Sequence, residues 1–429
     1  MTNNLRFLTA GESHGKGLIG ILEGIPSGLA LSSKDIDREL KRRQSGYGRG
    51  GRMKIEKDHA EIISGVRSGY TIGSPISLFI ENRDWENWQD IMSPDSKEIS
   101  EEIKDPRFDP RFLAVTRPRP GHADLAGALK YRHKDIRNVL ERSSARETAM
   151  RVAIGAIAKK FLSEFSITIG SFVTQIGNIK IQNSKFKIQN FGETFKKAED
   201  SLVRCPDEDA SKKMMELIDT ASKNGDTLGG VFEIFATGLP VGLGSHIQWD
   251  KRLDGRLAHA LMGIQAIKGV EIGAGFEMAE RFGSEVMDEI FYQKTEVRTR
   301  TPKDFGVRPS THEVSALGQR SDSGFYRETN HAGGIEGGMT NGMPIVIRAA
   351  MKPIPTLRKP LQSVDIITKE PFEAVYERSD ICAVPAAAVI GEAVAALIIA
   401  DAFLEKFGGD NIEETKKNFD AYMEYLKQF

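Results

Sequence analysis

The sequence predicts an α+β fold with mostly antiparallel strands. Helical and strand-like segments are mixed along all 429 residues without the regular strand–helix alternation that builds a doubly wound parallel sheet. Strand-like runs are short, β-branched and separated by Gly and Pro turns, as in Pro344 to Met351. No repeat of 20 to 50 residues and no low-complexity linker divides the chain. One large domain over residues 1–429 is therefore expected, with a polar insertion or lid at about 291–330 and a tail helix at about 411–429.

Composition excludes several classes of function. The net charge of −1 gives no bulk attraction to nucleic acid or to an acidic membrane, so any anion site is local. Cys205 and Cys382 form no paired framework and no metal spacing, which fits a reducing compartment. The first residues lack a basic stretch followed by an apolar one, and a cytoplasmic location is expected. Ala383 to Leu404 is apolar enough to suggest a membrane span. Glu392, Asp401 and its many alanines instead predict a buried, closely packed helix.

In chain order, Leu5 to Ala10 reads as a strand leading into GESHG, Gly11 to Gly15. A formal GxGxxG follows at Gly15, Gly17 and Gly20. The helix a dinucleotide site needs would then have to accommodate Gly24, Pro26 and Gly28, and an interior proline alone costs about 3 kcal/mol. Ile19 to Glu23 is read as a strand instead. Ser33 starts a helix through Arg43, acidic in its first turn and basic in its last. Arg43, Arg49 and Arg52 then stand among four glycines, a cationic segment able to close over an anion or to serve as a solvated linker. Glu61 to Val66 and Pro75 to Glu81 read as strands. Asn82 to Arg117 is loop-rich, with Trp85 and Trp88 covering a surface.

TRPRPGHAD, Thr116 to Asp124, fixes Arg117, Arg119 and His122 between prolines. Ser144 and Glu147 form a capping box ahead of a helix carrying Met150, Ile154, Ile157 and Phe161. Its free amides, with Arg142, Ser143 and Arg146, offer an anion site. Ile167 to Phe195 is read as surface strands and loops, Gly230 to Thr237 as a strand, and Lys251 to Lys268 as a helix with a structural His259. In His331 to Thr356, Gly333, Gly334, Gly337, Gly338 and Gly342 make either a floor of bare backbone amides or a tight loop. The strand after them delivers Lys352 into KPIPT, which would set a cation beside that floor. The clustered arginines suit phosphate and carboxylate groups, and His14 and His122 suit proton transfer. The markers GxxxxGK[ST] and HExxH are absent.

Seven motifs, GESHG, RRQSGYGRG, RPGHAD, RSSARET, HAGGIEGG, MKPIPT and RSDICAVPAA, stand in one order from about Phe7 to about Ala402, and in this the chain resembles chorismate synthase. The resemblance implies a lyase with a β-α-β sandwich fold, helices lying between antiparallel sheets, assembled as a homotetramer. It implies an anti-1,4-elimination of phosphate and a C6 hydrogen from 5-enolpyruvylshikimate 3-phosphate to give chorismate. Reduced FMN is required without net redox change, supplied with NADPH by the chain itself or, as favoured here, by an external flavin reductase. By the same resemblance, His14 assists the departing phosphate with Ser13 nearby, His122 serves the flavin near N1, and Asp380 works at N5 in removing the C6 hydrogen. Arg43, Arg49, Arg119, Arg146 and Arg378 would clamp the substrate. Arg142, Ser143, Ser144, Gln265, Ala266, Gly337, Lys352, Pro353, Ile354, Pro355, Thr356 and again Arg378 would hold FMN. No metal, nucleic acid or membrane partner is implied. An RNA surface around Arg43 to Arg52 is the rival reading, opposed by the near-neutral charge and the lack of stacking aromatics beside those arginines.

Overall fold

The structure is a computed structural model that describes residues 4–49, 57–95, 113–181, 191–292, 324–359, 361–374 and 380–429. Most of the expected insertion, and Arg378, lie outside these residues.

Alternating apolar residues build a first sheet of four antiparallel strands, in the order Arg6–Ala10, Gly17–Glu23, Ile76–Glu81, Glu61–Ser64. A strand, not a helix, thus follows the formal GxGxxG. Along Gly17–Glu23 the buried positions are Leu18, Gly20 and Leu22, while Ile19 and Ile21 face out, the period of two that a half-buried strand requires. The second sheet runs Ile267–Ile272, Ile345–Met351, Gly230–Thr237, Thr168–Ile176, Ile179–Lys180, again antiparallel throughout. Thr168–Ile176 was expected at the surface. Seven of its nine residues are buried, because it pairs with Gly230–Thr237 and packs on the core helix.

The helices Ser33–Gln44, Thr148–Ser163 and Val384–Phe407 fill the space between the sheets. This is the expected β-α-β sandwich. Val384–Phe407 is long and apolar enough to cross a membrane, yet it packs inside the molecule on nearly every side. Glycine permits the close approach: a Cβ on Gly155 would lie 2.5 Å from the Ala393 Cβ, and one on Gly391 2.7 Å from Ile234. The tail helix, Ile412–Gln428, is anchored by Phe419 against Phe165, Phe403 and Phe407. The helix expected over Lys251 to Lys268 is shorter, Leu253–Met262. The chain turns at Gly263, places Ala266 at φ +66°, and enters a strand at Ile267.

Glu392 is the one acid in the middle of the core helix, and it has no exposure. Arg42 grips it with two bonds of 2.8 Å, Lys159 reaches it at 2.7 Å, Ser171 donates at 2.6 Å and Arg204 at 3.2 Å. Burial pushes the Glu392 carboxyl up, but the charges of Lys159 and Arg42 outweigh it and hold the group well below the usual range. A folded-state value below the unfolded one means stability that is present above about pH 4.3 and lost as pH falls below it. Glu392→Gln leaves three buried cations short of a partner and should cost about 3 to 5 kcal/mol in urea unfolding at neutral pH. The gap from the parent protein should narrow as pH is taken below about 4.

Candidate active site

The GESHG turn is held from beneath. Gly11 sits at φ +106°, and a Cβ there would lie 2.3 Å from the Gly17 carbonyl, so only glycine fits. Glu141, on the helix Arg137–Ser143, takes the turn at two points: its carboxylate accepts the His14 N–H at 2.7 Å and lies 2.8 Å from Nδ1 of the same residue. The ring of His14 stacks on Trp88 with centroids 4.1 Å apart. Asn82, buried at the end of Ile76–Glu81, donates to the carbonyls of Glu12 and Gly15 and accepts from Arg146 Nε at 2.9 Å. Ser144 donates to Ser13 at 3.1 Å, closing the turn against the next motif.

Ser144 does cap, but it caps a 3-10 turn, Ala145–Glu147, by accepting from the Arg146 N–H; the α-helix begins at Thr148. Glu147 does not reach back as a capping box requires. It accepts instead from Thr9 and Arg151 at 2.9 Å and from Gln265 at 3.3 Å, stronger calls on a buried carboxylate.

The last turn of Ser33–Gln44 carries Arg43 into the same region. Arg43 donates to Thr148 Oγ1 at 3.0 and 3.1 Å and to the Ala145 carbonyl at 2.9 Å. Asp58 lies between Arg43 and Arg146, ion-paired to both, and Arg49 pairs with Asp380 at 3.1 Å. Burial, reinforced by the charges of Arg49 and Arg146 and opposed by those of Asp58 and Asp380, brings the Arg43 guanidinium down to about 10. Three arginines thus share one electrostatic environment with two carboxylates.

RPGHAD folds around Asp124, whose carboxylate accepts from Arg119 Nε at 2.8 Å, from the Arg119 N–H at 3.0 Å, and lies 2.5 Å from His122 Nδ1. Burial would raise the Asp124 carboxyl, but the bonds from His122 and Arg119 and their charges keep it far below the usual range. Arg119 also reaches Thr356 at 3.3 Å, joining this knot to KPIPT. Lys352 Nζ donates to the Gly121 carbonyl, and the Lys352 N–H donates to the Ala266 carbonyl at 2.9 Å. Oε1 of Gln265 is buried and, among the described residues, has no hydrogen-bond partner.

These contacts form one continuous run. His14, Glu141, Ser13, Ser144, Arg146, Asp58 and Arg43 make one end; Glu147, Gln265, Ala266, Lys352, Gly121 and His122 complete it. Arg146, Lys352 and His122 therefore belong to one connected region.

Not every expected residue joins that run in the same way. Arg142 spends its guanidinium on the carbonyls of Thr9 and Gly11 and on the Thr9 hydroxyl, and Ser143 donates within its own helix. Pro353, Ile354 and Pro355 continue from Lys352, with the Ile354 carbonyl accepting from Thr227 at 2.7 Å. Gly337 lies elsewhere. It begins a tight hairpin turn between Ile335–Glu336 and Met339–Thr340, and its neighbour Gly338 packs on Arg252, just ahead of the helix Leu253–Met262. That ten-residue helix, roughly 15 Å long, separates the hairpin from Gln265. The seven-residue strand Ile345–Met351, roughly 20 Å, separates it from Lys352. Nor are the other glycines an open floor: Cβ atoms on Gly333 and Gly334 would collide with the backbones of Gly273 and Pro344, so this is the tight-loop alternative.

A family model described as chorismate synthase matches residues 5–404. The chain belongs to the chorismate synthase family. It is 56% identical to the chorismate synthase of Geobacter sulfurreducens over 99% of this chain and 100% of that one. With the chorismate synthase of Aquifex aeolicus the identity is 55%, over 99% of each chain. A crystal structure of chorismate synthase superposes with a TM-score of 0.74 at 46% identity, covering 99% of both chains. The fold and the motifs read from sequence are thus those of one family.

Glu141, Asn82, Asp58, Asp124 and Trp88 were not singled out as site residues from the sequence. Asp124 stands inside RPGHAD and Glu141 directly precedes Arg142, so their motifs could have signalled them. Asn82, Asp58 and Trp88 carry no local pattern, and Trp88, read as a surface cover, is in fact the stacking partner of His14. Asn82→Ala removes the link between the GESHG turn and Arg146 and leaves the buried Gly15 carbonyl without its side-chain donor. We expect a loss of about 1 to 3 kcal/mol in stability by denaturant titration. A misplacement of about 1 Å at the site should also lower turnover by roughly 10²-fold.

Proposed function

We propose that the chain carries out the elimination that defines its family: phosphate from C3 and hydrogen from C6 of 5-enolpyruvylshikimate 3-phosphate, giving chorismate in the shikimate route to aromatic compounds. The observation that carries the reading is the run of contacts and chain neighbours that links His14 to His122, with the arginine cluster set into it. Arg43, Arg49 and Arg146 are buried or half-buried cations, joined to the GESHG turn through Ser144 and Ser13, a set of donors suited to a phosphate and two carboxylates. His14, fixed by Glu141 and Trp88, is the proton donor to the departing phosphate. The carboxylate of Asp380, paired with Arg49, accepts the proton lost from C6.

The residues present suit a flavin. The orphaned Gln265 Oε1 is an acceptor awaiting a donor of the kind the ring's pyrimidine edge offers, and Lys352, whose N–H donates to the carbonyl of the neighbouring Ala266, would contact the same cofactor. Reduced FMN bound there supplies transient electron density that helps phosphate leave, with no net redox change. His122, held by Asp124 and Arg119, would in this reading donate a proton or hydrogen bond to the flavin near N1. In this reading Lys352 to Thr356, Ala266, Ser143, Ser144 and Arg142 also serve the cofactor. Arg119 and Arg378 complete the substrate clamp, Arg378 also reaching the flavin. A cytoplasmic homotetramer supplied by an external, NADPH-consuming flavin reductase completes the proposal.

The purified protein, given reduced FMN and substrate without oxygen, should release phosphate and chorismate in equal amounts; no turnover there sinks the reading. His14→Ala and His122→Ala should each slow the reaction roughly 10- to 10⁴-fold under single-turnover conditions. Oxidation of NADPH by the chain and FMN alone would show that no external reductase is needed.

A further inference from the structure

Asp58 stands outside every motif that led to the site, yet it lies at the centre of the arginine cluster. Its N–H donates to Gln44 Oε1 at 3.3 Å, tying it to the end of the helix that carries Arg43. Its carboxylate has no exposed surface. Oδ1 accepts from Arg146; Oδ2 is 3.6 Å from Arg43 NH1 and, among the described residues, accepts no hydrogen bond. Each arginine is also fixed from behind: Arg146 by Asn82 and the Glu81 carbonyl, Arg43 by Thr148 and the Ala145 carbonyl. Two guanidiniums are thereby held with their donor edges toward one carboxylate.

Among the described residues, Arg43, Arg49 and Arg146 face Asp58 and Asp380, three cations against two carboxylates, with Asp58, Arg43 and Arg146 buried. Without Asp58 the two buried guanidiniums of Arg43 and Arg146 would lose the carboxylate that stands between them. Like charges at that range repel strongly, and breaking a buried pair from one side is among the costliest single changes a protein can suffer.

Resting on the substrate reading above, we propose that Asp58 is a positioning residue, the internal counter-ion that holds Arg43 and Arg146 as a preformed fork for an oxyanion while leaving net positive charge for the substrate's phosphate. The carboxylate does not enter the reaction. It keeps the fork assembled when no anion is bound, so that the substrate does not have to gather two mutually repelling cations.

The consequence is a dependence of stability on anions that a merely structural contact would not produce. Asp58→Asn should lower the melting temperature of the full chain by about 3 to 5 °C in chloride buffer. Inorganic phosphate at matched ionic strength should restore most of that loss, because an anion that binds only the folded form stabilises it. The parent protein should gain much less from the same phosphate. Asp58→Glu should behave nearly as the parent. The double variant Asp58→Asn with Arg146→Gln, which removes one charge of each sign, should lose the phosphate response. If Asp58→Asn does not fold in chloride, recovery by refolding into phosphate supports the proposal, and failure in phosphate overturns it. The proposal is equally overturned if Asp58→Asn melts with the parent, or lies below it by the same margin with and without phosphate. The measurement uses inorganic phosphate and no turnover, so absence of chorismate formation would leave it standing, and its failure would leave the elimination reading intact.

Discussion

The helix Val384–Phe407 has almost no face for solvent, and the rest of the molecule is arranged to meet that demand. A helix apolar all round is stable in water only if neighbours cover it on every side. The second sheet and the helices Ser33–Gln44, Thr148–Ser163, Leu253–Met262 and Ile412–Gln428 do so here, and the cover is close because Gly155 and Gly391 bring backbones together. Glu392 adds direction to what would otherwise be a greasy cylinder. Its ring of partners can be satisfied only in one rotation and one height of the helix, because Arg42, Lys159, Ser171 and Arg204 come from four separate elements.

That anchoring reaches the site through the backbone. Arg42 is consumed by Glu392, and Arg43, the next residue, enters the arginine cluster. At the other end, the residues leading into Val384–Phe407 meet the glycine-rich segment directly: Ile381 donates to the Gly48 carbonyl, and Asp380 pairs with Arg49. Core and site are thus two ion-paired clusters sharing one helix end. Among the described residues, the first sets Arg42, Lys159 and Arg204 against the carboxylates of Glu39, Glu199 and Glu392, and the second sets Arg43, Arg49 and Arg146 against Asp58 and Asp380.

The sequence made much of this legible where local rules govern. Alternation in Gly17–Glu23, the acidic start and basic finish of Ser33–Gln44, and the alanines around Glu392 each report a short-range requirement. The arginines and histidines were legible because Gly and Pro fix the backbone around them. Asp58, Asn82 and Trp88 were hidden for the opposite reason: the site residues they meet, Arg43, Arg146 and His14, lie 15 to 88 residues away, and nothing in their own neighbourhood marks them. Ser144 and Glu147 show a further limit. The capping pattern is real, but Glu147 has better partners in Thr9, Arg151 and Gln265, and tertiary contacts outbid the local motif. Gly337 shows the last: closeness in sequence to Lys352 is undone by a strand that carries the chain across the molecule.

The adjacency of Arg42 and Arg43 constrains how this scaffold can change. Neighbouring side chains on an α-helix point about 100° apart, so one residue inserted or deleted inside Ser33–Gln44 would swing both guanidiniums by that angle, emptying core and cleft together. Length variation in this part of the chain is therefore confined to the glycine-rich stretch beyond Gln44, and the helix itself behaves as a ruler whose phase cannot drift.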